Sequence, residues 1–195
     1  MIVVRDKTLQ RADLLKLVRS GVQVHCLDCV LVGNLGGIRF SDWYFHKCFW
    51  QEVSLRGAGF DKCDFFYNVF LSGDLSGAKF TRCEFDACVF LSSLLKGASF
   101  VRSEILSSVF LYCRRTPLQQ IVSTKIMCSE YICCDGQPKV LGDSEMIESY
   151  VGGNSVQEIS KIETVHVSLA TTISWCFAVA LAATSGTFAL LRLVT

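Results

Sequence analysis

The side chains best suited to chemistry in this 195-residue chain are its cysteines and histidines, which can act as metal ligands, nucleophiles or general bases. A zinc-like pair, Cys26-x-x-Cys29, lies near the N-terminus, whereas Cys128, Cys133 and Cys134 lie far along the chain. A zinc site needs ligands that converge on one point. Because the two groups fall at opposite ends of the repeat described below, we expect no metal site and no cofactor.

The histidines give no better candidate for catalysis. His25, His46 and His166 are scattered over separate regions. Catalysis requires a nucleophile, a base or a metal held together in a cleft, and the sequence contains no such constellation. We therefore predict that the chain is not an enzyme and takes no small-molecule substrate.

Composition limits the class of protein. Hydrophobic residues make up 51% of the chain, enough for a sizeable core, and the formal net charge of +1 gives no global attraction to nucleic acid. Residues 1–12 lack the uninterrupted apolar stretch of a secretory signal. We expect the repeat domain on the cytosolic side of a membrane, with the eleven cysteines as reduced thiols.

The chain that positions these residues is dominated by a five-residue repeat. The residue two places before each large apolar residue is mostly small. A period of five is neither helical nor that of a straight strand, so the chain must turn a corner once per unit. A second period of twenty, in which Gly37, Gly57, Gly77 and Gly97 each open a G-x-x-F unit, indicates that four units close one coil. Large apolar residues stand at every fifth position: Val30, Leu35, Phe40, Phe45, Trp50, Leu55, Phe60, Phe65, Phe70, Leu75, Phe80, Phe85, Phe90, Leu95, Phe100, Ile105 and Phe110.

This pattern resembles the pentapeptide-repeat family over about residues 28–113. The resemblance implies an all-β solenoid, a right-handed quadrilateral β-helix of about four coils and roughly 20 Å in height. In that fold Phe40, Phe60, Phe80 and Phe100 would form one internal ladder and leave no room for a substrate.

Two positions depart from the pattern, and the inward small position accounts for five of the cysteines. Trp43 stands where a small residue is expected, and His25 stands where a large apolar one is expected. Five cysteines occupy the inward small position, where a thiol is a compact apolar filler: Cys48, Cys63, Cys83, Cys88 and Cys113.

Two outer rows of the coil carry charge. Basic residues are followed two places later by acidic ones, and we expect these rows to neutralise one another across adjacent coils. Some pentapeptide-repeat proteins bind DNA topoisomerases through an acidic, DNA-like surface, and the balanced charge disfavours that function here. The pairs are Lys62 with Asp64, Arg82 with Glu84, and Arg102 with Glu104.

Another outer face is apolar and is the predicted partner-binding face. Six aliphatic side chains in two parallel rows would form a patch of the size that usually marks a contact surface. The occupant could be the C-terminal segment of the same chain, a partner protein or a second copy. The face comprises Val69, Leu71, Val89, Leu91, Val109 and Leu111.

The ends of the coil need covers, because open strand edges invite aggregation. Thr8 to Ser20 has the pattern of an amphipathic helix, closed by Gly21, that would cap the first coil within residues 1–27. Thr116-Pro117 is typical of a helix start and predicts a second capping helix through about Glu130, followed by a linker, within residues 114–154.

Residues 155–195 are predicted to form a hydrophobic helix that starts at a capping box of Ser155 and Glu158. Val165 to Leu191 contains no Asp, Glu, Lys or Arg and exceeds the roughly 20 residues that cross a bilayer. We interpret it as a C-terminal transmembrane helix; a helix packed along the apolar face is the alternative. Small residues recur every fourth position and favour close helix packing in a membrane: Ala170, Ser174, Ala178, Ala182 and Gly186.

The function these features predict is a non-enzymatic, membrane-tethered scaffold for protein–protein interaction or self-association, without nucleic acid. One alternative is a bacterial secreted effector or accessory factor acting at membranes. The other is the topoisomerase-binding DNA mimic.

Overall fold

A computed structural model describes residues 1–114 and the strands that lie between residues 120 and 151. The predicted C-terminal helix, residues 155–195, and its small-residue stripe lie outside the described residues. No helix among the described residues has the length and apolarity required to span a membrane.

The described chain contains one helix, α1 (Arg11–Arg19), and a long series of short strands. In chain order these are β1 (Ile2–Arg5), β2 (Thr8–Leu9), β3 (Val24–Leu27), β4 (Val30–Asn34), β5 (Arg39–Ser41), β6 (Trp43–His46), β7 (Phe49–Ser54), β8 (Gly59–Asp61), β9 (Asp64–Phe66), β10 (Val69–Leu71), β11 (Lys79–Thr81), β12 (Glu84–Asp86), β13 (Val89–Leu91), β14 (Ser99–Val101), β15 (Glu104–Leu106), β16 (Val109–Leu111), β17 (Gln120–Val122), β18 (Lys125–Met127), β19 (Glu130–Ile132), β20 (Val140–Leu141), β21 (Glu145–Ile147) and β22 (Tyr150–Val151).

The strands form three parallel sheets that the chain visits in turn. The first sheet has the order β1-β3-β6-β9-β12-β15-β18-β21, the second β2-β4-β7-β10-β13-β16-β19-β22, and the third β5-β8-β11-β14-β17-β20. A fourth side is held by single bridges that link Ser54, Asp74, Leu94 and Arg114 between the second and third sheets. The predicted four-sided parallel β-solenoid is therefore confirmed.

The five-residue unit folds this way because each side offers room for one inward pair of residues before the chain turns. Arg82 at one corner has φ +55° and Gly77 at another has φ +66°. Such left-handed conformations cost little for glycine and more for other residues. Successive coils stack in register: Phe60 pairs with Phe80, and Phe80 pairs with Phe100.

The core consists of the predicted aromatic ladders. Phe40, Phe60 and Phe80 stack with ring centroids 4.7 and 4.9 Å apart. A second ladder runs from Phe45 through Phe65 to Phe85, and the ring centroids of Phe65 and Phe85 lie 4.5 Å apart. Within residues 1–114, eleven large side chains are almost completely inaccessible to solvent, so the interior is filled, as predicted.

One small position inside the coil holds an amide instead of a small apolar group. Asn68 is fully buried and its Oδ1 accepts a hydrogen bond from Trp50 Nε1 at 3.1 Å. Its Nδ2 donates to the carbonyl oxygens of Phe45 at 2.8 Å and Phe66 at 3.1 Å. The buried indole nitrogen and the amide thus satisfy each other.

The second coil, which contains β3 and β4, is shifted by one residue from the predicted phase. Cys26 pairs with Phe45 and points inward, whereas His25 pairs with Tyr44 on the outside. Leu31, and not Val30, pairs with Trp50 in the core. The placement of His25 and Val30 in the inward large position was therefore wrong. Trp43 is buried as expected and meets Phe40 edge-on at 5.0 Å.

The N-terminal helix exists, but it follows the first two strands instead of preceding the coil. The backbone N–H of Gln10 donates to Asp13 Oδ2 at 3.1 Å, and Gly21 with φ +64° follows the last turn. Because α1 lies between β2 and β3, it takes the place that a third-sheet strand occupies in later coils. Leu14 is fully buried, and Leu15, Leu17 and Val18 pack against the core.

The coil also continues further than predicted. Residues 114–154 contain β17 to β22, all paired in parallel with the preceding coils, where a capping helix to Glu130 and a linker were expected. The physical reason is a one-residue phase shift, since Phe100 pairs with Ile121, 21 residues later, and not with residue 120. The first and second sheets consequently have eight strands each, more than about four coils provide.

Candidate interaction surface

With the interior filled, any binding chemistry among the described residues must lie on the outer sides of the coil. Alternation along each strand places the residues on either side of an inward Phe on the outside. In β13, for example, Phe90 is inward and Val89 and Leu91 flank it. The four sides differ in what they present.

The second sheet carries the predicted apolar face. Its strands β10, β13 and β16 align Val69, Val89 and Val109 in one row and Leu71, Leu91 and Leu111 in a second. The structure therefore brings all six predicted residues together in register. Phe49 pairs with Val69 and precedes the valine row.

The exposure of the two rows differs from the expectation of a solvent-facing patch. Val69, Val89 and Val109 are 2%, 3% and 0% exposed, although they do not belong to the hydrophobic core cluster. The leucines in the second row are half-buried. The leucine row is thus the part of this face that retains accessible apolar surface, and its binding of a partner stays a prediction.

The charged rows do not pair as expected. Arg82 turns away from Glu84 and makes a forked contact with Asp61, with Nη2 2.6 Å from Oδ2 and Nε 2.9 Å from Oδ1. Within the described residues Asp64, Glu84 and Glu104 form no salt bridge. The predicted neutralisation across adjacent coils was wrong, because the corner residue leans towards the third sheet.

The unpaired carboxylates crowd one another on the first sheet. Glu84 is in register with Asp64 on one side and Glu104 on the other. Burial raises the pKa of the Glu84 carboxyl, and the charges of Asp64, Glu104 and Asp86 raise it further. Burial likewise raises the pKa of Asp64. This side of the coil therefore bears a row of repelling acidic groups.

An aromatic and histidine cluster lies at the N-terminal end of the same row, and sequence reasoning missed it. Tyr44 lies 5.1 Å from His25 and 5.4 Å from Phe66 between ring centroids, and His46 lies 5.9 Å from Tyr67. Burial is the main reason that the pKa of His46 is lowered. The signal was present as the residues flanking each inward Phe, and only the placement of His25 required the one-residue shift of the second coil.

The thiols of the described residues lie inside the coil. All seven described cysteines are buried. Cys48 donates to the carbonyl oxygen of Cys26 at 3.3 Å, and burial raises the pKa of its thiol. No group of three or more potential ligands in residues 1–114 or the later described strands is arranged to hold a metal ion. Cys128, Cys133 and Cys134 lie where no side chain is described.

Comparisons with known proteins find a common fold type and little sequence similarity. A family model described as the SV2A/B/C luminal domain matches residues 27–90, less than half of the chain. No curated protein matches the chain.

Solved structures with some likeness are pentapeptide-repeat proteins. QnrB1, a plasmid-mediated fluoroquinolone resistance protein, is 14% identical with a TM-score of 0.41, covering 85% of this chain and 98% of its own. HetL, involved in heterocyst differentiation regulation in the cyanobacterium Nostoc, is 13% identical with a TM-score of 0.40, covering 66% and 60%. Rfr23 from the cyanobacterium Cyanothece is 12% identical with a TM-score of 0.34, covering 74% and 97%. At such values the likeness carries little, and the fold is shown by the repeat and the four-sided coil of this chain itself.

Proposed function

We propose that this pentapeptide-repeat β-helix is a non-enzymatic scaffold that binds a protein partner and is tethered to a membrane by its C-terminal segment. The observation that carries the proposal is the filled interior. Stacked rings 4.4 to 5.1 Å apart occupy the axis of the coil, so the fold offers its outer sides for recognition. The half-buried leucine row on the second sheet is the surface best suited to an apolar contact.

The tether rests on the sequence of residues 165–191. This stretch has no Asp, Glu, Lys or Arg and is long enough to cross a bilayer. Its small residues at every fourth position, from Ala170 to Gly186, suit close packing against a second membrane helix. The scaffold would then be held at the membrane surface, with the repeat on the cytosolic side.

Alkaline carbonate extraction of membranes tests the tether. The full chain should remain in the membrane pellet, and a variant with Ala178→Arg and Leu181→Arg should move to the supernatant, because two charges oppose insertion. A variant with the same substitutions at exposed Ala12 and Ser20 serves as the charge-matched control and should stay in the pellet. Release of the unaltered chain by carbonate would refute the membrane tether.

A specific observation supports a second candidate, the topoisomerase-binding DNA mimic. The sequence suggested balanced charge, whereas Asp64, Glu84, Asp86 and Glu104 lie together on the first sheet. A supercoiling assay separates the candidates, since a mimic would protect the enzyme without any membrane. The acidic row is short, so the scaffold remains the favoured function.

A further inference from the structure

The fold sorts the charges of residues 28–114 into two halves, which the small net charge conceals. One half comprises the third sheet, the fourth side and the corner between the third and first sheets; we call it the basic half. It holds eight Lys or Arg side chains and three Asp, an excess of five positive charges. The other half holds one Lys and six Asp or Glu, an excess of five negative charges.

Internal pairing leaves most of the basic side chains unneutralised. Arg56 pairs with Asp74 at 3.3 Å, and Arg82 pairs with Asp61. The remaining six are exposed and form no salt bridge within the described part of the chain: Arg39, Lys62, Lys79, Lys96, Arg102 and Arg114.

The arrangement of these side chains is regular. Lys62 and Arg102 occupy the same corner two coils apart, with Arg82 between them. Lys79 lies in the third-sheet row that contains Arg39 and Gly59, and Lys96 projects from the neighbouring fourth side. Lys62, Arg82 and Arg102 follow one another at a strand spacing of about 4.8 Å, and like charges so placed repel one another, so binding of a polyanion to this half is favourable.

We infer that the basic half is a docking surface for the anionic lipid headgroups of a membrane. Anionic lipids attract clusters of about four to eight Lys or Arg held at a membrane surface, and the basic half carries six unpaired ones. The inference rests on the proposed tether, which would keep the repeat near a bilayer. A single-stranded nucleic acid fits less well, because the exposed aromatic residues Tyr67 and Tyr112 lie at other corners and provide no stacking platform here.

Lysine footprinting on the full chain tests the inference. The protein is reconstituted in phosphatidylcholine vesicles with and without about 30% phosphatidylserine, treated briefly with an acetylating reagent, and analysed residue by residue by mass spectrometry. On anionic vesicles we expect acetylation of Lys62, Lys79 and Lys96 to slow on the order of fivefold or more, and high salt to restore it. Lys47, exposed in the acidic half, is the internal control and should react equally on both vesicles.

Each other outcome overturns the inference. Equal reactivity of the three lysines on both vesicles would exclude an electrostatic headgroup contact, and it would leave the tether intact if carbonate still failed to extract the protein. Protection by double-stranded DNA but not by anionic vesicles would assign the basic half to nucleic acid.

A charge variant gives an independent measurement. Lys79→Gln, Lys96→Gln and Arg102→Gln together should abolish the slowing at Lys62 on anionic vesicles. The matched control, Arg5→Gln, Lys7→Gln and Lys47→Gln, removes the same charge from the first sheet and from the stretches between the first and second sheets, and it should leave the slowing at Lys62 unchanged. Persistence of protection in the first variant would contradict a docking surface made by these residues.

Discussion

Asn68 shows how a single residue fixes the register of two neighbouring coils. Its amide joins the indole of Trp50, one coil earlier, to the backbone carbonyls of Phe45 and Phe66. Equivalent small positions hold serines, such as Ser93, whose hydroxyl donates to the carbonyl oxygen of Phe70 at 3.1 Å. The Trp50 N–H requires the acceptor that Asn68 provides. A serine suffices where the neighbouring inward residue is a Phe, because a Phe ring has no donor to satisfy.

Asn68→Ser tests this requirement. Serine fits the position but leaves the buried Trp50 N–H without its acceptor, so we expect the free energy of unfolding to fall by about 1–3 kcal/mol. Urea denaturation followed by tryptophan fluorescence measures it. The control, Ser93→Ala, removes one hydrogen bond beneath a Phe and should cost about 1 kcal/mol. A loss for Asn68→Ser no greater than that of the control would argue against the account.

Glu84 gives a prediction for pH dependence. Its pKa is raised above the ordinary value of 4.5, mainly by burial and then by its acidic neighbours. The protonated form is thus favoured in the folded state, so this stabilising contribution is complete below pH 4.5 and is lost as pH rises through the folded-state pKa.

Glu84→Gln should therefore stabilise the protein near neutral pH, by up to about 1 kcal/mol, since like charges directly opposite are destabilising. The advantage over the unaltered chain should shrink as pH falls from about 7 to 5. Thermal unfolding over that range measures it, with Glu52→Gln at an exposed corner as control. An advantage that is independent of pH would contradict crowding as the cause.

At the scale of elements, α1 closes one end of the coil. The first coil lacks a third-sheet strand and a fourth side, which would leave carbonyl groups of the second coil without donors. Arg11 supplies them, with Nη1 2.8 Å from the Gly36 carbonyl oxygen and 3.2 Å from that of Asn34. The helix thus covers an edge that would otherwise be open to pairing with another chain.

Arg11→Gln should loosen this edge without unfolding the coil. We expect faster hydrogen exchange at the amides of Leu35 and Gly37, which donate to the next coil at 2.7 and 3.0 Å. The change should stay near this end and cost about 1 kcal/mol in local stability. Lys16→Gln on the same helix is the control. Unchanged exchange at both amides would contradict the assigned contact.

The sequence predicted elements well wherever the five-residue phase is unbroken. From Leu35 to Phe110 the inward positions are as expected, because steric fit in a narrow coil permits only one phase. The phase shifts by one residue near each end, and a rule of strict spacing then misassigned His25 and missed β17. Ile121, Ile126 and Tyr131 retain the spacing of five, but the predicted helix rested on Thr116-Pro117 alone.

At the scale of the whole molecule, the surface could be predicted only in part. The sequence predicted that Val89 and Leu91 share one outer face, since both positions follow from the alternation around Phe90. It did not predict that the valine row is buried, or that Arg82 turns towards Asp61 and leaves Glu84 unpaired. Both depend on side-chain directions that a repeat pattern does not specify.

Photo-crosslinking from the leucine row tests the central claim of a membrane-held scaffold most directly. A photoreactive amino acid replaces Leu91 in the full chain within intact membranes, and Leu106, a half-buried leucine on the outer side of the first sheet, is replaced in the control. We predict one discrete protein adduct from position 91, retained in the carbonate-resistant membrane fraction and absent from position 106. A crosslink confined to the same chain, or adducts of equal yield from both positions, would contradict the scaffold function.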